Sequence, residues 1–192
     1  MEFFIEIGKL KNIERSGWLV EGIKNPESVA DHSFRTALMA LVLAKGREDI
    51  DANKAVKMAL VHDIAESQIG DVLVDWKIKY LGEKAKRIDG THGMTQEEKI
   101  RIEKNGMEKL VSLLGGDGNE IFGLWKEFEE RKSKEAVFVK SVEVFETLLQ
   151  CFEYEKDQNI EIDWFDHKEN WEKIKDAEIK NLALKILEYR KK

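Results

Sequence analysis

Ala55-Val56-Lys57-Met58-Ala59-Leu60-Val61-His62-Asp63-Ile64-Ala65-Glu66 is the stretch on which the rest of the sequence turns. Its apolar residues recur at helical spacing. Asp51 or Asn53 could cap a helix that runs on to about Ser67. At 3.6 residues per turn His62 and Glu66 fall one turn apart, with Asp63 beside them. Ala55 and Ala59 occupy the same stripe, while Lys54 and Lys57 point the other way. Three ionisable side chains therefore share a face with small residues that should pack inward. Burying such groups alone is costly. A divalent metal would satisfy them, because it takes neutral imidazole nitrogen and carboxylate oxygen together. A polar helix end with a buried ion pair is the plainer reading of any His-Asp dipeptide, and these residues alone leave both open.

Moving N-terminally, His32 lies in Glu27-Ser28-Val29-Ala30-Asp31-His32-Ser33-Phe34-Arg35. Ser28 is a good N-cap and Gly46 a good stop for a helix between them. That helix is apolar nearly all round, as a central helix should be. A histidine there is more often a hydrogen-bonded core residue than a ligand. Yet two of the chain's four histidines then lie on adjacent core helices. An antiparallel pair could gather both imidazoles and Asp63 around one ion.

Other catalytic templates do not fit. A zincin needs a second histidine four residues after the first, where this chain has Glu66. No Gly-x-Ser-x-Gly elbow is present. Gly115-Gly116-Asp117-Gly118 neither follows a strand nor ends in Gly-Lys-Ser/Thr, so it reads as a turn. Cys151, beside Leu148, Leu149 and Phe152, reads as core.

Helical periodicity continues along the chain, at about residues 3–11, 95–114, 119–131, 133–154 and 176–189, with a short helix near Trp171. Alternating strand patterns are nearly absent, so the fold class is all-α. The 192 residues suit one domain with a sizeable core. With 42% hydrophobic and 36% charged residues the chain reads as globular. A net charge of −6 argues against a nucleic-acid polymer as partner. It does not argue against phosphate substrates, because a metal reverses the local field. The single cysteine rules out a disulfide within the chain and fits a reducing compartment. Residues 1–10 lack a basic region and carry Glu2 and Glu6, unlike a signal peptide. The longest apolar run, Ala37 to Ala44, is far short of the roughly 20 residues a membrane span needs. A cytoplasmic protein without a membrane partner is expected.

His32, followed after a helix by His62-Asp63, resembles the HD superfamily of metal-dependent phosphohydrolases. Further stretches look like its 5′-deoxynucleotidase branch. They are Arg15-Ser16-Gly17-Trp18, Asn25-Pro26-Glu27-Ser28-Val29-Ala30-Asp31-His32, Leu60 to Glu66, and Ile69-Gly70-Asp71. Ala136-Val137-Phe138-Val139-Lys140, Leu148-Leu149-Gln150 and Glu153-Tyr154-Glu155 match as well. The resemblance covers roughly residues 5–155, which leaves 156–192 as a C-terminal helical extension of a single domain over 1–192.

The resemblance implies an HD-domain helical bundle with a buried metal site. It implies a hydrolase that removes the 5′-phosphate from nucleoside monophosphates, preferring deoxyribonucleotides, and acts as a homodimer. One divalent ion (Mn, Co, Zn, Ni, Fe or Mg) would be held by His32, His62 and Asp63. Glu66 would be the general base and Asp71 would assist the leaving oxygen. Arg15 would offer its planar fork to the phosphate, and Trp18 would pack near the sugar or base. Without the resemblance Arg15 reads as a solvated charge and Trp18 as a core aromatic.

The family's last ligand is an aspartate shortly after Phe-Val-Lys. This chain has Ser141-Val142-Glu143, which assigns the fourth position to Glu143, with Glu146 one turn later as fallback. Helical periodicity does not select Glu143, which lies at the margin of the Phe138, Val142, Phe145 and Leu149 stripe. The proline usual after Gly-Asp is replaced by Val72-Leu73-Val74-Asp75. Gly90-Thr91-His92-Gly93 matches nothing, and His92 reads as a loop residue. Two other readings stay open. One is a different HD phosphohydrolase, such as a nucleotide pyrophosphatase or cyclic-nucleotide phosphodiesterase. The other is a binding module that senses nucleotides without turnover, which Glu143 keeps alive.

Overall fold

Side-chain caps set several helix starts where the sequence predicts them. Asp51 accepts the Lys54 N–H at 3.0 Å and Ser133 accepts the Ala136 N–H at 3.1 Å. Thr95 and Glu98 form a reciprocal capping box. The computed structural model describes residues 1–73, 94–163 and 168–190. Its helices are α1 (Glu2–Ile7), α2 (Ser16–Glu21), α3 (Val29–Leu43), α4 (Ala52–Val61), α5 (Glu66–Ile69), α6 (Gln96–Ser112), α7 (Gly118–Glu130), α8 (Lys134–Gln158), α9 (Lys168–Lys173) and α10 (Ala177–Arg190). Short 3-10 turns cover Gly8–Asn12 and Gly115–Asp117. Among the described residues there is no strand, only an isolated bridge between Glu14 and Ser28. The fold is all-α, as read.

Ser16-Gly17, which reads as a loop in sequence, opens α2 instead, and a second element differs too. The helix predicted to carry His62 and Glu66 together stops at Val61. After it, the N–H groups of Glu66, Ser67 and Gln68 donate three residues back, to Asp63, Ile64 and Ala65. This tighter winding separates α4 from α5, so Glu66 stands in the first turn of a new helix. The His62 side chain occupies the end of α4, its Nδ1 donating to the Ala59 carbonyl at 2.7 Å.

The chain packs as two compact units. The first comprises residues 1–31 and 63–123. Here α6 lies against α5, and a glycine permits the approach. A Cβ at Gly106 would meet Gln68 Cβ and Ile69 Cγ2, each at 3.3 Å. Gly118 is tighter still, since a Cβ there would collide with the Val111 carbonyl oxygen and lie 2.9 Å from the Val111 Cβ. Backbone cannot yield as a side-chain tip can. Gly118→Ala should therefore cost about 1–3 kcal/mol, read as a lowered thermal midpoint with unchanged helix content.

The second unit comprises residues 32–62 and 124–192. Its spine is α8, which buries residues on every side, among them Phe138, Val142, Phe145, Leu148 and Cys151. That all-round burial explains why α8 shows no single apolar stripe. Helices α4, α9 and α10 pack on it. Ser141, in its N-terminal third, is fully buried. Its hydroxyl donates to the Val137 carbonyl at 2.8 Å and accepts the N–H groups of Lys175 and Asp176, both at 3.1 Å. Asp176 then caps α10 by accepting the N–H groups of Glu178 and Ile179, and Arg47 donates to its other oxygen at 2.6 Å.

Candidate metal centre

In the second unit α3 and α4 bring the two expected histidines together. The rings of His32 and His62 lie 5.4 Å apart, edge to face, and Phe128 packs 5.3 Å from His62. Both imidazoles are buried. Each uses Nδ1 on an oxygen: His62 on the Ala59 carbonyl, His32 on the Glu146 carboxylate. An Nδ1–H that donates leaves the lone pair on Nε2. When neutral, both rings can therefore offer Nε2 to a metal ion. With Asp63, the residue bonded directly to His62, they make a donor set able to hold a metal ion. Two imidazoles and one carboxylate suit a divalent transition ion, so the donor chemistry fits.

The first unit gathers the other expected residues. Arg15 precedes α2 and donates from Nη1 to Asp63 Oδ2 at 3.2 Å. Burial works against the Arg15 charge, but Asp71, Asp63, Glu27 and Glu66 outweigh it and hold the guanidinium firmly protonated. Asp71 reaches the same place because Gly70 turns the chain at φ +77°, a conformation that favours glycine. The Asp71 carboxylate accepts the Ser16 N–H at 2.7 Å, and its carbonyl accepts the Ser16 hydroxyl. Glu66 is only 3% exposed. Burial, then the charges of Asp71 and Asp63, push its carboxyl well above the usual carboxylate range, against the pull of Lys99 and Arg15. Among the described residues Glu66 Oε2 has no hydrogen-bond partner, as suits a carboxylate that must take a proton.

Two expected residues are engaged with other partners. Trp18 is buried, and its indole N–H donates to Glu27 at 2.9 Å. Glu143 forms an ion pair with Lys140 and belongs to no metal-holding set found among the described residues. His92 and the rest of residues 74–93 lie outside the described residues. The sequence reading missed Lys99 as a member of the site. Its ammonium is largely buried yet kept protonated by Glu103, Glu66, Asp71 and Asp63, and it pairs with Glu103 at 3.2 Å. Nothing in Glu97-Glu98-Lys99 distinguishes it from the many surface lysines. Glu146 was only a fallback ligand in the sequence reading; the structure places it on His32 Nδ1.

The sequence profile of the HD domain family matches residues 7–184. The chain belongs to the HD domain family. This HD domain is 42% identical over 163 residues to the 5′-deoxynucleotidase HDDC2 of Dictyostelium discoideum, covering 81% of this chain and 77% of that protein. A solved structure from Pyrococcus horikoshii is 31% identical, with a TM-score of 0.72 and 96% of each chain covered. Another, a predicted metal-dependent phosphohydrolase from Magnetospirillum magnetotacticum, is 26% identical with a TM-score of 0.72, covering 98% of this chain and 89% of that one. An HD domain implies a divalent metal, and the imidazole pair with Asp63 supplies donors for it. No helix among the described residues is long and apolar enough to cross a membrane.

Proposed function

We propose that this chain is a metal-dependent 5′-deoxynucleotidase, a hydrolase that cuts the 5′-phosphate monoester of nucleoside monophosphates and prefers deoxyribose. The observation that carries the reading is the buried imidazole pair with both Nδ1 atoms committed, followed in sequence by Asp63. The name of the Dictyostelium relative supports the substrate class. His32, His62 and Asp63 would hold one divalent ion, drawn from Mn, Co, Zn, Ni, Fe or Mg. Such an ion, when bound, polarises a phosphoryl oxygen as a Lewis acid. Glu66 orients the attacking water and takes its proton. Arg15 meets the phosphate with its remaining donors. Asp71 serves the leaving oxygen. Trp18 supports this end of the unit from behind, through Glu27. Glu143 stays with Lys140 unless the bound ion draws it away. The family match runs through both compact units, which supports one HD domain.

A cytosolic location is part of the same proposal, as is a homodimer. The chain has one cysteine, and it is buried. On α3, Phe34, Leu38, Leu41 and Val42 follow helical spacing and are 49–67% exposed. A contiguous apolar stripe of this kind marks an association surface. Sedimentation of Leu38→Asp should give half the mass of the wild type.

Phosphate release from a panel of nucleotides tests the function. Deoxyribonucleoside 5′-monophosphates should react faster than their ribose counterparts, by about 10²-fold or less, since shape alone rejects an added hydroxyl weakly. Diphosphates and cyclic nucleotides should yield little. Turnover confined to cyclic nucleotides, or none with metal bound, would replace this reading.

A further inference from the structure

One arginine outside the expected site has its whole donor fork engaged. Arg35 stands one helical turn after His32 on α3. Its Nε donates to Glu146 Oε1 at 2.7 Å, Nη2 to Gln150 Oε1 at 2.8 Å and Nη1 to Glu153 Oε2 at 2.6 Å. Glu146, Gln150 and Glu153 are four and three residues apart, one stripe of α8. The other Glu146 oxygen meets His32 Nδ1. Glu146 and His32 are both fully buried, whereas the Arg35 side chain is 29% exposed.

A fully buried carboxylate needs both oxygens satisfied. Here one is bound by Arg35 and the other by the His32 ring. Neither the carboxylate nor the imidazole can rotate without breaking one of these contacts. The planar fork adds direction, because Gln150 and Glu153 hold its two Nη groups while Nε is aimed at Glu146. Burial opposes the Arg35 charge, but Glu146 and Glu153 outweigh it and keep the fork protonated.

We propose that Arg35 is a positioning residue for the metal centre: through Glu146 it fixes the His32 ring with its Nε2 lone pair turned to the ion. The proposal rests on the reading of His32 as a ligand. Its rival is a plain ion-pair staple between α3 and α8, which would contribute to stability and nothing to metal affinity.

Titrating cobalt(II) into chelator-stripped protein, followed by visible absorption, separates the two. Arg35→Gln should weaken binding about 10–100-fold, the usual effect of removing a group that orients a ligand. Arg35→Lys, which keeps the charge and loses the fork, should recover only part. Glu146→Gln should fall in the same range, and the double variant should be no weaker than the weaker single. Glu153→Gln, which loosens only the outer grip, should stay near wild type. Circular dichroism of the metal-free proteins checks folding, and if Arg35→Gln does not fold, Arg35→Lys against Glu153→Gln carries the test. Wild-type affinity in a folded Arg35 variant, or losses that multiply in the double variant, would overturn the proposal while leaving the metal reading intact. A wild type that binds no cobalt would overturn both.

Discussion

His62→Ala is expected to abolish metal binding and to reduce phosphate release to the background of metal-free protein. No other single replacement removes as much at once. The imidazole is a proposed ligand, packs on His32 and Phe128, and caps the Ala59 carbonyl. Its loss also opens a cavity at the end of α4, which for a ring of this size costs about 2–5 kcal/mol. The metal content of folded protein, measured by mass spectrometry, must therefore be read beside a melting curve. Folded His62→Ala with a full complement of metal and wild-type turnover would remove the imidazole pair from the reaction.

Glu66→Gln is expected to lower turnover by about 10²–10⁴-fold, the range for a general acid–base group, with metal still bound. In the metal-free protein the same change should raise the thermal midpoint at neutral pH. The sign follows from the direction of the pKa. Folding pushes the Glu66 carboxyl up, chiefly by burial and then by Asp71 and Asp63. The folded state therefore favours the protonated form. That contribution to stability is fully present below the ordinary carboxylate pKa and is lost as pH rises through the raised value. At neutral pH an amide avoids the penalty. Glu66→Gln should flatten this part of the stability–pH curve, as urea unfolding across pH would reveal. An unchanged turnover number would assign Glu66 to folding alone.

The grouping of His32, His62 and Asp63 was legible because these residues carry a local signal. A histidine-aspartate pair on a small-residue stripe and a second histidine on an apolar helix can be read without coordinates, and the flanking motifs add the family. The break at residues 62–65 was not legible, since the apolar spacing of 55–66 continues a helix without a flaw. It depends on hydrogen bonds made three rather than four residues back. Arg15 illustrates a different limit. Sequence gives a lone charge, but its engagement with Asp63 spans 48 residues. Glu146 and Arg35 meet across 111 residues. A trace of that pairing was nonetheless present: Glu146, Gln150 and Glu153 form a polar stripe on a helix otherwise built for burial. For Glu143 the local pattern and the family position pointed different ways, and the structure gives it Lys140 as partner.

The hydroxyl of Ser141 gives the C-terminal helix a particular kind of motion. The amide hydrogens of Lys175 and Asp176 share that one acceptor, and the Asp176 carboxylate next to them holds the following turn. Both bonds depend on the position of one hydroxyl oxygen. When the Ser141 contact opens, both amides and the cap behind them lose their anchor together. The amides at the entry to α10 are therefore expected to exchange their hydrogens with solvent together, as a small foldon held on α8.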